Sequence, residues 1–237
     1  MTDTPRPGDD LVLVVSTHHL HVWLSDLDRP CDESADLELL STDERARAAR
    51  FHFDVHRRRF VACRALLRRL VAGELGTAPR DVSFQYGPFG KPGLAGESEL
   101  KFNVSHSDRY ALLGFTRGRD VGIDIERVRT LANLDQLAER VFSPAEQEEF
   151  SLVPTASRAE AFFSGWTRKE AYIKARGDGL QRLADFDVSL EPGEPVRLRR
   201  VQAEPDEPAR WSLTALTPLP GFAAAVCVEN PAIRRLR

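Results

Sequence analysis

The segment Val121-Gly122-Ile123-Asp124-Ile125-Glu126 sets two carboxylates two residues apart in an otherwise apolar run. Alternate side chains of a strand share a face, so Ile123 and Ile125 point one way and Asp124 and Glu126 the other. Neighbouring carboxylates repel unless a cation or protons lie between them. Taken alone, the segment reads as an exposed strand end with two solvated acids. A third carboxylate changes the balance. In Trp166-Thr167-Arg168-Lys169-Glu170-Ala171-Tyr172-Ile173-Lys174 the helical spacing of four puts Trp166, Glu170 and Lys174 on one face, with Phe162, Lys169 and Ile173 alongside. An ordinary Glu–Lys pair and a core tryptophan account for that pattern equally well. If Glu170 instead joins Asp124 and Glu126, the three make an all-oxygen site. Oxygen donors without a Cys/His cluster select a hard cation, Mg²⁺ over Zn²⁺, with positions left for water and phosphate oxygens. Lys174, one turn beyond Glu170, then faces the same phosphates.

Two further segments offer donors to an anion. Gly87-Pro88-Phe89-Gly90-Lys91-Pro92 is not a P-loop, because the spacing is wrong and Pro92 stands where Ser or Thr is needed. Phe102-Asn103-Val104-Ser105-His106-Ser107 supplies hydroxyls and an imidazole at a strand end, although a structural hydrogen bond is the plainer role for His106 alone. No acid–His–nucleophile order favours a hydrolase triad. Residues 41–70 hold nine arginines (45, 47, 50, 57, 58, 59, 64, 68, 69) against three acids. That density is either a polyanion site or a solvated helix face. The whole chain has twenty-nine arginines and four lysines, and Lys91, Lys169 and Lys174 all fall inside the segments above. An ammonium is a compact, strongly hydrated charge that arginine does not reproduce.

The elements that must position these residues follow from pattern. Strands are expected at Leu11–Ser16, His21–Leu24, Val82–Tyr86, Leu100–Val104, Tyr110–Thr116 and Val121–Ile125. Ser41-Thr42-Asp43-Glu44 and Ser143-Pro144-Ala145-Glu146 are capping boxes, the second with proline at its favoured first position. Apolar residues at helical spacing predict long helices over about 54–74 and 156–175, the latter stopping at Gly177-Asp178-Gly179. Beyond Asp185 short apolar runs alternate with Pro and Gly, as antiparallel strands do. Each half therefore has strands and one dominant helix, an α+β order with a boundary near 117–120.

Composition narrows the class. The 237 residues are 42% hydrophobic and 29% charged with a net charge of −3, a balance that excludes a disordered tail and gives no overall pull toward nucleic acid. The longest apolar runs, Leu11–Val15 and Phe222–Val228, are strand-sized, so no membrane span is expected. Met1 to Asp10 lacks the basic-then-apolar layout of a signal peptide. Cys31, Cys63 and Cys227 form no CxxC pair, which argues against disulfides or zinc and for a reducing, cytoplasmic setting.

Read in order, Gly90-Lys91-Pro92, Phe102-Asn103-Val104-Ser105-His106-Ser107, Gly122-Ile123-Asp124-Ile125-Glu126 and Trp166-x-x-Lys169-Glu170-Ala171-x-x-Lys174 resemble the Sfp-type 4′-phosphopantetheinyl transferases, in the branch written W/KEA. The likeness extends over about 40–190. It implies two similar α+β halves in one chain, here 1–118 and 119–237, with coenzyme A in the cleft between them. It further implies transfer of 4′-phosphopantetheine from coenzyme A to a serine of an apo acyl or peptidyl carrier protein, with 3′,5′-ADP leaving. On that likeness Asp124, Glu126 and Glu170 hold Mg²⁺, Glu170 is the base for the serine, and Lys174 neutralises the leaving phosphate. Ser105 and His106 contact coenzyme A phosphates, Lys91 lies toward the adenine, and Arg47 and Arg59 hold the 3′-phosphate. Glu44 stands where some relatives carry a phosphate-binding lysine, and here reads as a helix cap. A monomer is expected because both halves are present, with no nucleic acid or membrane among the partners. The competing readings are a Mg²⁺-dependent phosphohydrolase of a nucleotide ester and a non-enzymatic module binding coenzyme A or nucleic acid.

Overall fold

A computed structural model describes residues 11–17, 19–190 and 194–231; Met1 to Asp10, read above for the lack of a leader, lies outside them. In chain order the elements are β1 (Leu11–Ser16), β2 (Leu20–Asp26), α1 (Glu33–Leu39), α2 (Thr42–Ala48), α3 (Asp54–Leu75), β3 (Phe84–Tyr86), β4 (Pro92–Leu94), β5 (Leu100–Ser107) and β6 (Tyr110–Arg117). There follow β7 (Val121–Arg127), α4 (Leu134–Val141), α5 (Pro144–Ser151), α6 (Arg158–Arg176), β8 (Phe186–Val188), β9 (Leu198–Val201), β10 (Trp211–Leu216) and β11 (Phe222–Glu229).

Both capping boxes form, at Ser41/Glu44 and Ser143/Glu146. Each long helix ends on a left-handed glycine, Gly76 at φ 68° and Gly177 at φ 74°, a conformation that costs other residues a Cβ clash. Two short helices, α1 and α4, escape the sequence pattern, since seven and eight residues hold too few turns to display a period. Strands β5 and β7 run further than their apolar cores suggest, so Ser105, Ser107 and Glu126 lie within strands. Gly87–Lys91 is the turn between β3 and β4, where Gly90 adopts φ 79°.

Antiparallel pairing builds one sheet in the order β1-β2-β6-β5 and a second in the order β10-β11-β7. Helix α3 packs Leu66, Leu67 and Val71 against Phe102, Leu113 and Phe115 of the first sheet. Helix α6 packs Phe163, Ala171 and Ile173 against Ala223, Ala225 and Cys227 of the second. Alternation then sends Leu112 and Val22 from the first sheet, and Ile123, Ile125 and Val226 from the second, into a shared central cluster. The result is two α+β halves, each a long helix on an antiparallel sheet, joined sheet to sheet. Asp124, between Ile123 and Ile125, necessarily faces the other way, toward α6.

Candidate active site

The closest approach of the two elements that carry the acids is made possible by one residue. A Cβ on Gly122 would lie 2.0 Å from the Ala171 carbonyl oxygen and 2.2 Å from the Ala175 nitrogen. With glycine in β7 and alanines in α6, helix and strand touch backbone to backbone. That contact carries Glu170 and Lys174 to the strand bearing Asp124.

Lys174 Nζ donates to Asp124 Oδ1 at 2.6 Å and to Ser105 Oγ at 3.1 Å, and the Ser105 hydroxyl donates to the same Oδ1 at 2.7 Å. Asp124 is buried, yet its Oδ2 is closed off from solvent with no hydrogen-bond partner. A buried carboxylate oxygen without a donor is costly, and it is the kind of group a cation relieves. Ser107 donates to Glu126 Oε2 at 2.8 Å. Burial pushes the Glu170 carboxyl up to about 7; the Lys174 ammonium opposes this, while Asp124 and Glu126 add to it. Glu126 is also raised, chiefly by burial, with the Asp124 charge contributing. The three acids thus feel one another across the helix–strand contact. They do not stand as a closed ligand set: among the described residues no three His, Cys, Asp or Glu side chains are gathered ready to hold a metal ion, and the Lys174 ammonium takes one oxygen of Asp124. The donor set is all oxygen and includes one unsatisfied oxygen, so it fits a hard cation.

Three basic side chains adjoin the acids. His106, on the exposed side of β5, is held below its ordinary value by partial desolvation, then by the charges of Lys174 and Arg47, with Asp124 opposing and Arg59 adding to the effect. Arg47 has its guanidinium 5.2 Å from the centre of the Phe60 ring, a stacking that leaves its charge outward. Arg59 is committed differently. It makes a two-pronged pair with Asp28 at 2.7 and 2.6 Å and reaches Asp108 at 3.2 Å.

Three residues sit apart from this group. Lys91 Nζ donates to the Ala175 carbonyl at 2.9 Å, stitching the β3–β4 turn to the last turn of α6. Glu44 caps α2 and is more than a cap: it is buried, with Arg68 Nε on Oε2 at 2.7 Å and Arg64 Nε on Oε1 at 2.8 Å. Among the described residues five of the nine arginines therefore face carboxylates that neutralise them: Arg57 with Glu33 and Asp54, Arg59 with Asp28 and Asp108, Arg64 and Arg68 with Glu44, and Arg69 with Asp36. Lys169 also leaves the site. It is fully buried, donating to Glu146 and, at 2.6 Å, to the Phe186 carbonyl. Sequence reasoning passed over Ser107 and Asn103 as site residues, although their alternation with Ser105 along one strand was the available signal.

Comparison with known proteins places the chain in a family. The 4′-phosphopantetheinyl transferase superfamily matches residues 120–227, and the N-terminal region of 4′-phosphopantetheinyl transferase matches residues 29–116. The chain is 41% identical over 230 residues to 4′-phosphopantetheinyl transferase HetI of Nostoc sp., covering 95% of this chain and 93% of that one. It is 42% identical over 174 residues to AcpT of Escherichia coli K12, covering 73% of this chain and 82% of AcpT. With Sfp of Bacillus subtilis it shares 26% identity over 209 residues, 86% of this chain and 90% of Sfp. The chain belongs to the 4′-phosphopantetheinyl transferases, enzymes that transfer phosphopantetheine to carrier proteins. Among the described residues no helix is long and apolar enough to cross a membrane.

Proposed function

We propose that this enzyme takes its phosphopantetheine from coenzyme A and attaches it to a serine hydroxyl of an apo acyl or peptidyl carrier protein, with Mg²⁺ held by Asp124, Glu170 and Glu126. The observation that carries the reading is the meeting of α6 and β7, which sets Lys174 on Asp124 beside a buried carboxylate oxygen that has no donor. Bound there, Mg²⁺ supplies charge neutralisation for a pyrophosphate. Glu170 takes the proton of the serine hydroxyl. The serine oxygen forms a bond to the phosphorus next to pantetheine as the pyrophosphate P–O bond breaks, and the electron pair leaves on 3′,5′-ADP. Lys174 stabilises the negative charge that develops on the departing phosphate. His106, Ser105 and Arg47 line the phosphate side, and Arg59 reaches a 3′-phosphate by exchanging a carboxylate partner for it. Lys91 serves the adenine end through the turn it anchors to α6. The halves 1–118 and 119–237 act as a monomeric pair in the cytoplasm, with neither nucleic acid nor membrane as partner.

The test is intact-mass analysis of apo carrier protein incubated with the enzyme, coenzyme A and Mg²⁺, with 3′,5′-ADP quantified alongside. The expected result is a gain of one phosphopantetheine per carrier, matched by 3′,5′-ADP and abolished by EDTA. Consumption of coenzyme A without a carrier adduct would mean hydrolysis instead.

A further inference from the structure

Strands β5 and β7 belong to different sheets, yet they are fastened together by side chains. Three residues at alternate positions of β5 accept backbone N–H groups at alternate positions of β7: Asn103 Oδ1 from Ile123 at 2.9 Å, Ser105 Oγ from Ile125 at 3.4 Å and Ser107 Oγ from Arg127 at 3.0 Å. Each serine does a second thing. While accepting from one residue of β7, it donates its single proton to the carboxylate of the residue before, Ser105 to Asp124 at 2.7 Å and Ser107 to Glu126 at 2.8 Å. At the third position the preceding residue is Gly122, which has no carboxylate, and β5 carries an asparagine oxygen there instead of a hydroxyl.

We propose that Ser107 is a positioning residue for metal binding: anchored to the Arg127 N–H, it holds Glu126 by Oε2 and aims the carboxylate at the cation shared with Asp124. This rests on the Mg²⁺ site proposed above. Ser105 touches Lys174 as well as Asp124, so its loss would disturb the ammonium too. Ser107 contacts Glu126 and the Arg127 backbone but not Lys174 or Asp124, so of the three acids it acts on Glu126. Arg129 lies 3.8 Å from Glu126 Oε2 with a side chain 53% exposed, too distant and too solvated to fix the carboxylate, and the Lys174 ammonium, which also acts on Glu126, is bonded to Asp124 and Ser105. Hydrogen bonds behind a ligand typically govern metal affinity by about tenfold to a hundredfold. Glu126 is partly exposed, and water replaces some of the lost bond, so the lower end applies.

The experiment titrates Mg²⁺ by calorimetry into wild type, Ser107→Ala, Ser107→Thr, Glu126→Ala and the Ser107→Ala/Glu126→Ala double variant, each saturated with coenzyme A and without carrier. Metal-free coenzyme A affinity and Tm are measured in parallel. Ser107→Ala is expected to weaken Mg²⁺ about tenfold with coenzyme A affinity unchanged, and threonine to restore most of it. In the Glu126→Ala background the Ser107→Ala change is expected to have no further effect. Unchanged Mg²⁺ affinity in Ser107→Ala, no rescue by threonine, or an equal loss in the Glu126→Ala background would overturn the proposal. Should Ser107→Ala not fold, Ser107→Cys, similar in shape with a weak donor, carries the same expectations. A wild type that binds coenzyme A but no Mg²⁺ overturns the metal site itself, whereas a wild type and Ser107→Ala that bind equally well overturn only the role of Ser107.

Discussion

Gly122→Ala is the sharpest perturbation of the arrangement, because its consequence is set by two backbones that have no rotamer to change. The new Cβ would meet the Ala171 carbonyl oxygen at 2.0 Å, the Ala175 nitrogen at 2.2 Å and the Ala175 Cα at 2.8 Å. To restore ordinary contact, α6 and β7 must separate by about 1.4 Å. Overpacking of this kind costs about 3 kcal/mol, the upper end for one added methyl, which in a chain of this size lowers Tm by roughly 6–12 °C. The functional cost is of similar size. Moving α6 pulls Lys174 from the 2.6 Å contact with Asp124 and takes Glu170 with it. A misplacement of about 1 Å is enough to lower a rate about a hundredfold. Gly114→Ala is the comparator, since its Cβ would meet side-chain atoms alone, Ile123 Cδ1 at 3.4 Å and Val121 Cγ2 at 3.6 Å nearest, at ordinary contact distance. Thermal melts and single-turnover transfer at saturating coenzyme A, below the melting range of each variant, read both effects. Near-normal transfer by folded Gly122→Ala would refute the claim that this backbone contact positions the catalytic groups.

Lys169→Met leaves Glu146 buried without its counter-charge, still accepting from Val188 N–H at 2.7 Å and Ser143 N–H at 2.8 Å. Breaking such a pair on one side costs about 3–5 kcal/mol, so Tm should fall by about 10 °C, and a shift under about 2 °C in a thermal melt would contradict it. Arg47→Ala removes a guanidinium that stacks on Phe60 but has no carboxylate partner among the described residues; KM for coenzyme A should rise about tenfold with KM for the carrier and Tm unchanged, and equal effects on both substrates would argue against a phosphate contact. Iodoacetamide should add once to the native chain, at exposed Cys31. Cys63 and Cys227 are buried with their thiols pushed up, Cys63 to about 11, and a second adduct by peptide mapping would contradict their enclosure.

Much of the acid cluster was legible because local periodicities reported it. The two-residue spacing of Asp124 and Glu126 and the four-residue spacing of Glu170 and Lys174 each placed two groups on one face. Both capping boxes were equally local. The rest depended on what packs against what. Nothing near Lys91 in the chain announces that its ammonium ends on the Ala175 carbonyl, eighty-four residues away. The arginine-rich stretch looked like free positive charge, but Arg57, Arg59, Arg64, Arg68 and Arg69 are paired with acids brought in by the segment after β2, by α1 and α2 and by the turn after β5. The serine stitch between β5 and β7 was hidden for a related reason. It joins side chain to backbone across two sheets, and no pattern within one strand records which edge it will meet.

In the proposed mechanism Glu170 and its neighbours on β7 perform the transfer. Its most direct test is a quenched single-turnover measurement of carrier mass for wild type and Glu170→Gln, at saturating coenzyme A and Mg²⁺ with binding of both verified. Coenzyme A affinity is expected to stay within about threefold of wild type and the transfer rate to fall by about a hundredfold or more. A Glu170→Gln enzyme that forms holo carrier at close to the wild-type rate would contradict it.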